Sequence, residues 1–411
     1  MRDSCERPGL QPVSEALETL LNAVQPVTGK ESVRVAAVRG RVLAETVVSM
    51  VDVPPLDNSA VDGYAVSSAD LAAIGQSRLS ITQRIAAGQV GTSLEPGTAA
   101  RIFTGAPLPP GADAVVMQED TEADSDLVLI KVAVTPGMNV RHRGQDIGKG
   151  AAVLPAGRRL RPQDMGLLAS VGVGEVMVWR RLKVAIASTG DELVEPGQQV
   201  GPGQIFNSNR YTLLGMLASL GVEVVDLGII EDTPEATEQA LLQAAEEADC
   251  IITSGGVSVG EEDHVKDAVD RLGSLELWKL AIKPGKPLAF GHVRGTPFIG
   301  LPGNPAAVFV TFSVLARPFL LKAQGASEWL TKGWRLKAGF DYHNRGTRQE
   351  YLRCRLISGA AGDWVIDKYP NQSSGVLASA SWGDGFAIVP PGQQVKAGDL
   401  LEFVSYNELG F

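Results

Sequence analysis

The chain has 411 residues, of which 44% are hydrophobic, enough for two to four packed domains. Its formal net charge of −10 argues against a protein that binds nucleic acid or anionic membranes over a broad surface. Three cysteines lie far apart and predict neither disulfides nor a zinc site, and the N-terminus lacks an apolar signal core. The apolar stretch 308–321 is interrupted and too short to span a bilayer, so we expect a cytoplasmic protein.

The first 181 residues predict two interleaved domains. Residues 13–27 have helical spacing, and 33–53 predicts a short helix and a strand before the Pro54-Pro55 break. The segment 55–142 is rich in Gly, Thr and Val and predicts a β-rich domain. Because 143–181 returns to a mixed pattern, we expect it to pack against 1–54. The β-rich domain is then an insertion within a discontinuous mixed α/β domain.

The third region, 182–325, alternates strand and helix patterns, which predicts a three-layer α/β/α domain with a mostly parallel sheet. We expect its strands and helices at the following places: strands at 183–187, 222–230 and 250–253, and helices at 208–220, 234–248 and 263–272. A further helix should begin at Pro305, with Asn304 as its N-cap. The last region, 326–411, has alternating runs divided by turn residues and predicts a small β-barrel or sandwich.

Acidic residues follow three of the predicted strands. Asp191 and Glu192 come after the first, Glu231 and Asp232 after the second, and Asp263 after the glycine-rich turn that ends the third. Ligands of open α/β sheets lie beyond the carboxyl ends of the strands, so these carboxylates should meet at one rim. They would repel one another unless a cation joined them, and oxygen ligands suit Mg²⁺. Asp232 could instead be only the N-cap of the next helix.

A glycine turn and a lysine cluster indicate a polyanionic ligand. Ser254-Gly255-Gly256 ends a buried strand, and its backbone N–H groups can approach an anion closely. Three lysines surround Pro284-Gly285, namely Lys279, Lys283 and Lys286. Glycine pairs often serve only a tight turn and lysine clusters are usually solvated. The apolar run 280–282 between the first two lysines makes a fully exposed face less favourable.

Seven motifs then occur in one order: DNSAVDGYAV (57–66), RIFTGAPLPPGADAVVMQED (101–120), RHRGQDI (141–147), STGDEL (188–193), TSGGVSVGEEDH (253–264), KLAIKPGKPLAFG (279–291) and GLPGNP (300–305). This series resembles that of the molybdopterin molybdenumtransferases, the family of MoeA and the gephyrin E-domain. The resemblance implies an elongated, four-domain homodimer. It also implies an Mg²⁺-dependent enzyme that inserts molybdate into the dithiolene of adenylylated molybdopterin, releasing AMP and molybdenum cofactor, with transient contacts to other cofactor-assembly proteins.

The resemblance also assigns residues. Those implied in catalysis are Asp62, Thr104, Glu192, Asp232, Asp263, Lys279 and Lys283, with Glu192, Asp232 and Asp263 as metal ligands. Those implied in substrate binding are Arg141, Asp146, Ser254, Gly255, Gly256, Ser258, Lys286, Pro302, Pro305, Arg353 and Ser374. Arg353, Ser374 and a cluster lysine would bind molybdate. His142 departs from the family, whose members often have arginine there.

Alternatives remain at the level of the residue and of the whole chain. Asp62, beside Gly63, could cap its own turn, and Thr104 could be an ordinary strand-end hydroxyl. The third region alone resembles the smaller molybdopterin adenylyltransferase domain, although that domain lacks the DNSAVDGYA and FTGAP motifs. A non-enzymatic assembly scaffold is the third alternative.

Overall fold

The computed structural model describes residues 9–71, 76–256, 264–359 and 362–411. It is a multidomain protein built around three six-stranded sheets, in agreement with the predicted fold class. Two predicted site residues, Ser258 and Asp263, lie outside the described residues.

Two short antiparallel sheets join the early part of the chain to 152–179. Strand Lys30–Arg34 pairs with Glu175–Trp179, and Val47–Val48 pairs with Ala152–Leu154. Helix Pro162–Ser170 packs beside them over a core of apolar side chains. The 3-10 turn Val35–Ala37 follows the first strand directly. These pairings bring residues 152–179 back against residues 30–48, although about a hundred residues separate the two segments in the chain.

The chain between these two segments forms a mixed β-sheet. Its six strands are Gly63–Val66, Ser77–Ile85, Thr98–Ile102, Ala114–Met117, Thr121–Asp124 and Leu127–Ile130. Two short strands, Asn58–Ser59 and Val140–Arg141, pair where the chain enters and leaves this sheet. Apolar residues on its two faces fill two separate clusters, so the sheet has a core of its own.

The central sheet begins with four parallel strands, Glu223–Ile230, Lys183–Thr189, Cys250–Ser254 and Thr296–Leu301, in that spatial order. Pro287–Val293 and Gly273–Lys279 continue it antiparallel. A two-stranded parallel sheet, Leu193–Val194 with Ile205–Phe206, follows the first of these strands in the chain. The three strands predicted in this region are confirmed within two residues at each end.

Alternation along the strands explains the three layers. Val184 and Ile186 pack into one cluster with helix Ser208–Leu220, while Ala185 packs into another with helix Pro234–Glu247. Successive side chains of a strand point to opposite faces, so an apolar run must be covered on both sides. Helix His264–Leu272 adds to the second layer. The predicted helix at 208–220 is confirmed at both ends.

The helix that begins at Pro305 runs to Ala323 with a π-helical segment at Phe312–Ala316. It is long and apolar enough to cross a membrane, so the prediction that this stretch is too short and interrupted is wrong. Because 83% of its apolar window is buried inside the protein, it is a core helix. Helix Val13–Asn22 packs against it. Asn304 occupies the N-cap, but its side chain makes no capping hydrogen bond.

The C-terminal sheet closes into a five-stranded barrel, which decides between the predicted barrel and sandwich. Its strands in order around the barrel are Gln349–Ser358, Trp364–Lys368, Trp334–Ala338, Leu400–Ser405 and Gly385–Val389, which pairs again with the first. Short elements decorate it: strands Tyr342–His343 and Gln394–Val395 and helices Ala378–Trp382 and Tyr406–Leu409. Strand Ile282–Lys283, from the lysine cluster, pairs in parallel with the start of Gln349–Ser358.

Candidate active site

The carboxyl ends of the four parallel strands lie at one level. The sheet register pairs Thr189 with Ile230, Ser188 with Ser254, and Ser254 with Leu301. Each strand therefore delivers its following loop to the same rim, where open α/β sheets bind ligands.

A cavity of about 720 Å³ opens at this rim. It lies between the central sheet and the barrel, because the barrel-side loop 372–374 forms part of its wall. The predicted residues that line it are Glu192, Ser254, Gly255, Gly256, Lys283, Lys286, Pro302, Pro305 and Ser374. A volume of this size is ordinary for a cofactor-sized ligand.

The glycine turn forms one wall, and its geometry admits no side chain. Gly255 and Gly256 have φ angles of +93° and +64°. A Cβ atom on Gly256 would lie 2.6 Å from Cγ2 of Val265 and 3.0 Å from the Thr189 hydroxyl. Positive φ and close packing together require glycine here. Both glycines line the cavity, so this part of the wall is backbone.

The lysines are placed differently from one another. The Lys283 ammonium lies 2.9 Å from Oε1 of Glu350, a carboxylate that is 4% exposed. The other Glu350 oxygen accepts a hydrogen bond from the Tyr342 hydroxyl, and burial together with Glu350 raises the pKa of that tyrosine. Lys286 is half-buried at the cavity wall. Lys279 is exposed and does not line the cavity.

Several buried polar groups at the cavity lack a hydrogen-bond partner. They are the Ser254 hydroxyl, the Asn207 amide nitrogen and the Asn209 amide oxygen. Unpaired buried polar atoms are costly, so they indicate a polar ligand that completes them. Neither asparagine was predicted from the sequence as a site residue. Their signal was the FNSN run before a helix, where Asn207 is the N-cap and accepts from the Arg210 N–H at 3.2 Å.

The predicted acids are only partly brought together. Glu192 lines the cavity, whereas Asp232 is half-buried and does not. Thr233, not Asp232, caps the following helix, since its hydroxyl accepts from the Ala236 N–H at 3.3 Å. Within the described ranges, no three acidic, histidine or cysteine side chains form a metal cluster. Mg²⁺ usually takes one or two carboxylates together with substrate phosphates and water, and Glu192 at the cavity fits that mode.

A second group of predicted residues lies at the β-rich sheet. One Asp62 oxygen accepts hydrogen bonds from the Thr104 backbone N–H and hydroxyl, both at 2.8 Å. These bonds lower the pKa of Asp62 and link residues 42 positions apart, so the carboxylate does not cap its own turn. Arg141 ends the short strand that pairs with Asn58–Ser59. Like Asp146, it is exposed. None of these four side chains lines the cavity.

The loop that carries Arg141 is held by acids rather than left free for an anion. His142 Nδ1 lies 3.4 Å from Asp57, and the Arg143 guanidinium donates to Asp52 at 2.6 Å. In contrast, Arg141 is exposed and forms no ion pair with any described residue.

Arg353 lies behind the cavity wall. It is 1% exposed, and its guanidinium donates to the Ser379 hydroxyl at 2.9 Å and the Ser373 carbonyl at 3.2 Å. Its backbone N–H donates to the Gln372 side chain at 2.9 Å. Arg353 thus holds the loop that presents Ser374 to the cavity.

The fold and this cavity define a class: a central α/β domain with a ligand cavity at its strand ends, flanked by a β-rich insertion and a barrel. Three family models match: "MoeA N-terminal region (domain I and II)" at residues 11–172, "Probable molybdopterin binding domain" at 185–322, and "MoeA C-terminal region (domain IV)" at 335–406. The chain belongs to the MoeA family of molybdopterin molybdenumtransferases.

Full-length relatives agree. The chain is 42% identical to the molybdopterin molybdenumtransferase of Haemophilus influenzae over 77% of its own length and 78% of the relative's. It is 36% identical to that of a Nostoc species, over 94% and 91%. A crystal structure of a molybdopterin biosynthesis MoeA protein from Pyrococcus horikoshii superposes with a TM-score of 0.76, at 32% identity, covering 97% of this chain and 99% of that one.

Proposed function

We propose that this protein inserts molybdate into the dithiolene of adenylylated molybdopterin, releasing AMP and molybdenum cofactor. The cavity at the strand ends carries the proposal, because it joins a glycine turn, two lysines and unpartnered polar groups in a space that suits a nucleotide-linked ligand. Family membership supplies the reaction. The domains we propose are those expected from the sequence, with 55–142 inserted between 1–54 and 143–181, and the strand pairings across that gap support them.

Charge and shape in the cavity support the following proposed roles for its residues. Lys283 and Lys286 face the phosphate oxygens of the substrate, and Glu350 holds the Lys283 ammonium in place. The bare glycine turn lets the pyrophosphate group approach the backbone. Ser374 binds molybdate by its hydroxyl, on a loop that Arg353 fixes from behind. Lys279 is exposed and would act at longer range through its charge.

We further propose that Glu192, with Asp232 and Asp263, holds Mg²⁺. The metal would neutralise charge on the substrate phosphates and polarise the bond that is cleaved. Glu192 is the acid whose placement at the cavity supports this assignment. Replacing Glu192 with Gln removes one charge and keeps the shape, so Mg²⁺-dependent turnover should be lost while the fold is unchanged. Normal Mg²⁺ dependence in that variant would remove Glu192 from the metal site.

A homodimer accounts for the separation between the two groups of predicted residues. Asp62 and Thr104 lie at the β-rich sheet of one chain, and the proposed chemistry places them near the cavity. A twofold dimer can bring them to the cavity of the partner and gives two equal sites. We propose a cytoplasmic location, because the one membrane-length apolar helix of the described chain is buried in the core.

A turnover assay tests the function. The purified protein, supplied with adenylylated molybdopterin, molybdate and Mg²⁺, should release AMP and form active molybdenum cofactor. Lys286→Ala should weaken substrate binding, and its effect should shrink at high salt if the lysine acts by charge. ATP with molybdopterin as the substrate pair tests the adenylyltransferase alternative, and a protein without turnover in either assay would be a scaffold.

A further inference from the structure

A second, strongly basic cavity lies on another part of the molecule. Its volume is about 840 Å³, and it forms where the discontinuous first domain (39–40 and 157–162), the central domain and the chain leading into the barrel meet. None of its wall residues lines the proposed active site. Seven cationic side chains line it: Arg39, Arg158, Arg159, Arg161, Arg181, Arg317 and Lys332. Only two acids, Glu328 and Glu408, share the wall.

Most of these cations are not neutralised within the chain. Arg158 and Arg161 pair with Asp164. The other five form no ion pair with any described residue. In a protein with a net charge of −10, such a concentration of unpaired positive charge needs an explanation.

One arginine, Arg317, is buried and a second, Arg159, is half-buried, which distinguishes this cavity from a solvated surface. Arg317 is 6% exposed and donates to the carbonyls of Leu409 and Trp329 and to the Thr331 hydroxyl, all neutral acceptors. The Arg159 Nε atom is buried without a hydrogen-bond partner, although its NH2 group donates to the Ser219 carbonyl at 2.6 Å.

The charges of Arg159 and Arg317 repel each other, although the charge of Glu408 partly offsets this at Arg317. Burial and the charge of Arg159 lower the pKa of Arg317 to about 10. Burial and Arg39 likewise lower the pKa of Arg159. Lining one cavity with unpaired guanidinium groups is unfavourable unless an anion binds between them.

We propose that this cavity is a second ligand site, for a small molecule with at least two phosphate groups. The planar guanidinium fork matches phosphate oxygens, and a single carboxylate would leave most of the five unpaired cations uncompensated. The volume suits a ligand the size of a nucleotide or a phosphorylated sugar. Because segments from three parts of the fold form the wall, bound anion would hold these parts together.

The probe is inorganic pyrophosphate, titrated into the full-length protein by calorimetry at constant ionic strength. The variant Arg39→Gln with Lys332→Gln removes two exposed cations that make no hydrogen bond or ion pair to the described residues, so the fold should persist. Its affinity for pyrophosphate should fall at least about tenfold, the usual worth of one charge-assisted hydrogen bond. Arg181→Gln is a second, independent variant with the same expected direction.

Two controls locate the binding. Arg78→Gln removes an exposed cation of the β-rich sheet, far from this wall in the fold, and should bind as the wild type does. Lys286→Gln alters the proposed active site and should leave one pyrophosphate site intact. Molybdate and AMP, titrated separately, show whether a single oxyanion suffices. Absence of pyrophosphate binding, or binding lost in Lys286→Gln but kept in both arginine variants, would overturn the proposal.

Discussion

Mixing two inactive variants tests whether the active site is shared between two chains. Asp62→Asn alters the carboxylate at the β-rich sheet, and Glu192→Gln alters the cavity at the strand ends. Each homodimer should be inactive, because both of its sites carry the same defect. A mixed dimer has one site with both defects and one with neither. Equal amounts with random exchange give about half mixed dimers, so turnover should recover to about a quarter of the wild-type value.

The structure also supplies the matched control. Thr104→Val removes the hydroxyl that bonds to Asp62, so both changes fall on the same side of the proposed shared site. Mixing Thr104→Val with Asp62→Asn should therefore restore nothing. Cofactor formation is the assay, and native mass spectrometry establishes that subunits have exchanged. If exchange is complete and the Asp62→Asn and Glu192→Gln mixture stays inactive, each site is built within one chain and the shared-site argument fails.

Three further variants test particular contacts. Glu350→Gln removes the charged partner of the half-exposed Lys283. Substrate binding should weaken by about 1 kcal/mol, measured as a several-fold higher KM, and an unchanged KM would mean that the pair does not position the lysine. Asp164→Asn weakens a buried carboxylate with two arginine partners, so urea unfolding should show a loss of about 3 kcal/mol at pH 7. Burial opposes ionisation of Asp164, but the two arginines lower its pKa overall. The difference in unfolding free energy between the wild type and Asp164→Asn should therefore shrink as pH falls below about 4, and a difference that stays constant with pH would contradict this prediction. Gly256→Ala should lower the free energy of unfolding by about 1–3 kcal/mol more than Gly88→Ala does. Both glycines have positive φ, but only at Gly256 would the added methyl group meet neighbouring atoms.

The first three strands and the helices of the central domain were predictable because their signals are local, whereas strands Gly273–Lys279, Pro287–Val293 and Thr296–Leu301 were missed. Strand and helix periods, together with proline and glycine punctuation, placed the helix Ser208–Leu220 and the strand Cys250–Ser254. The strand-end rule then placed Glu192, Ser254 and the glycine turn at one cavity. These features depend on neighbours within a few residues or on one general property of parallel sheets.

Features that depend on distant partners were not predictable. Glu350 is an ordinary acid in the sequence, and only the pairing of Ile282–Lys283 with the barrel brings it to Lys283. The family resemblance implies that Arg353 is an anion ligand, but the fold buries it behind the loop. The cations of the basic cavity come from segments as far apart as Arg39 and Lys332. No local sequence pattern indicates that these segments meet in the fold.

The short strand Ile282–Lys283 has a mechanical consequence. It belongs by sequence to the central domain, yet its backbone is bonded to the barrel strand Gln349–Ser358. The same barrel carries the loop 372–374, which also lines the cavity. A rigid rotation of the barrel would therefore carry a lysine and a serine of the cavity together, while the glycine turn stayed with the sheet. The width of the cavity and the spacing of its charged groups would then change together, as the angle between the barrel and the central domain changes.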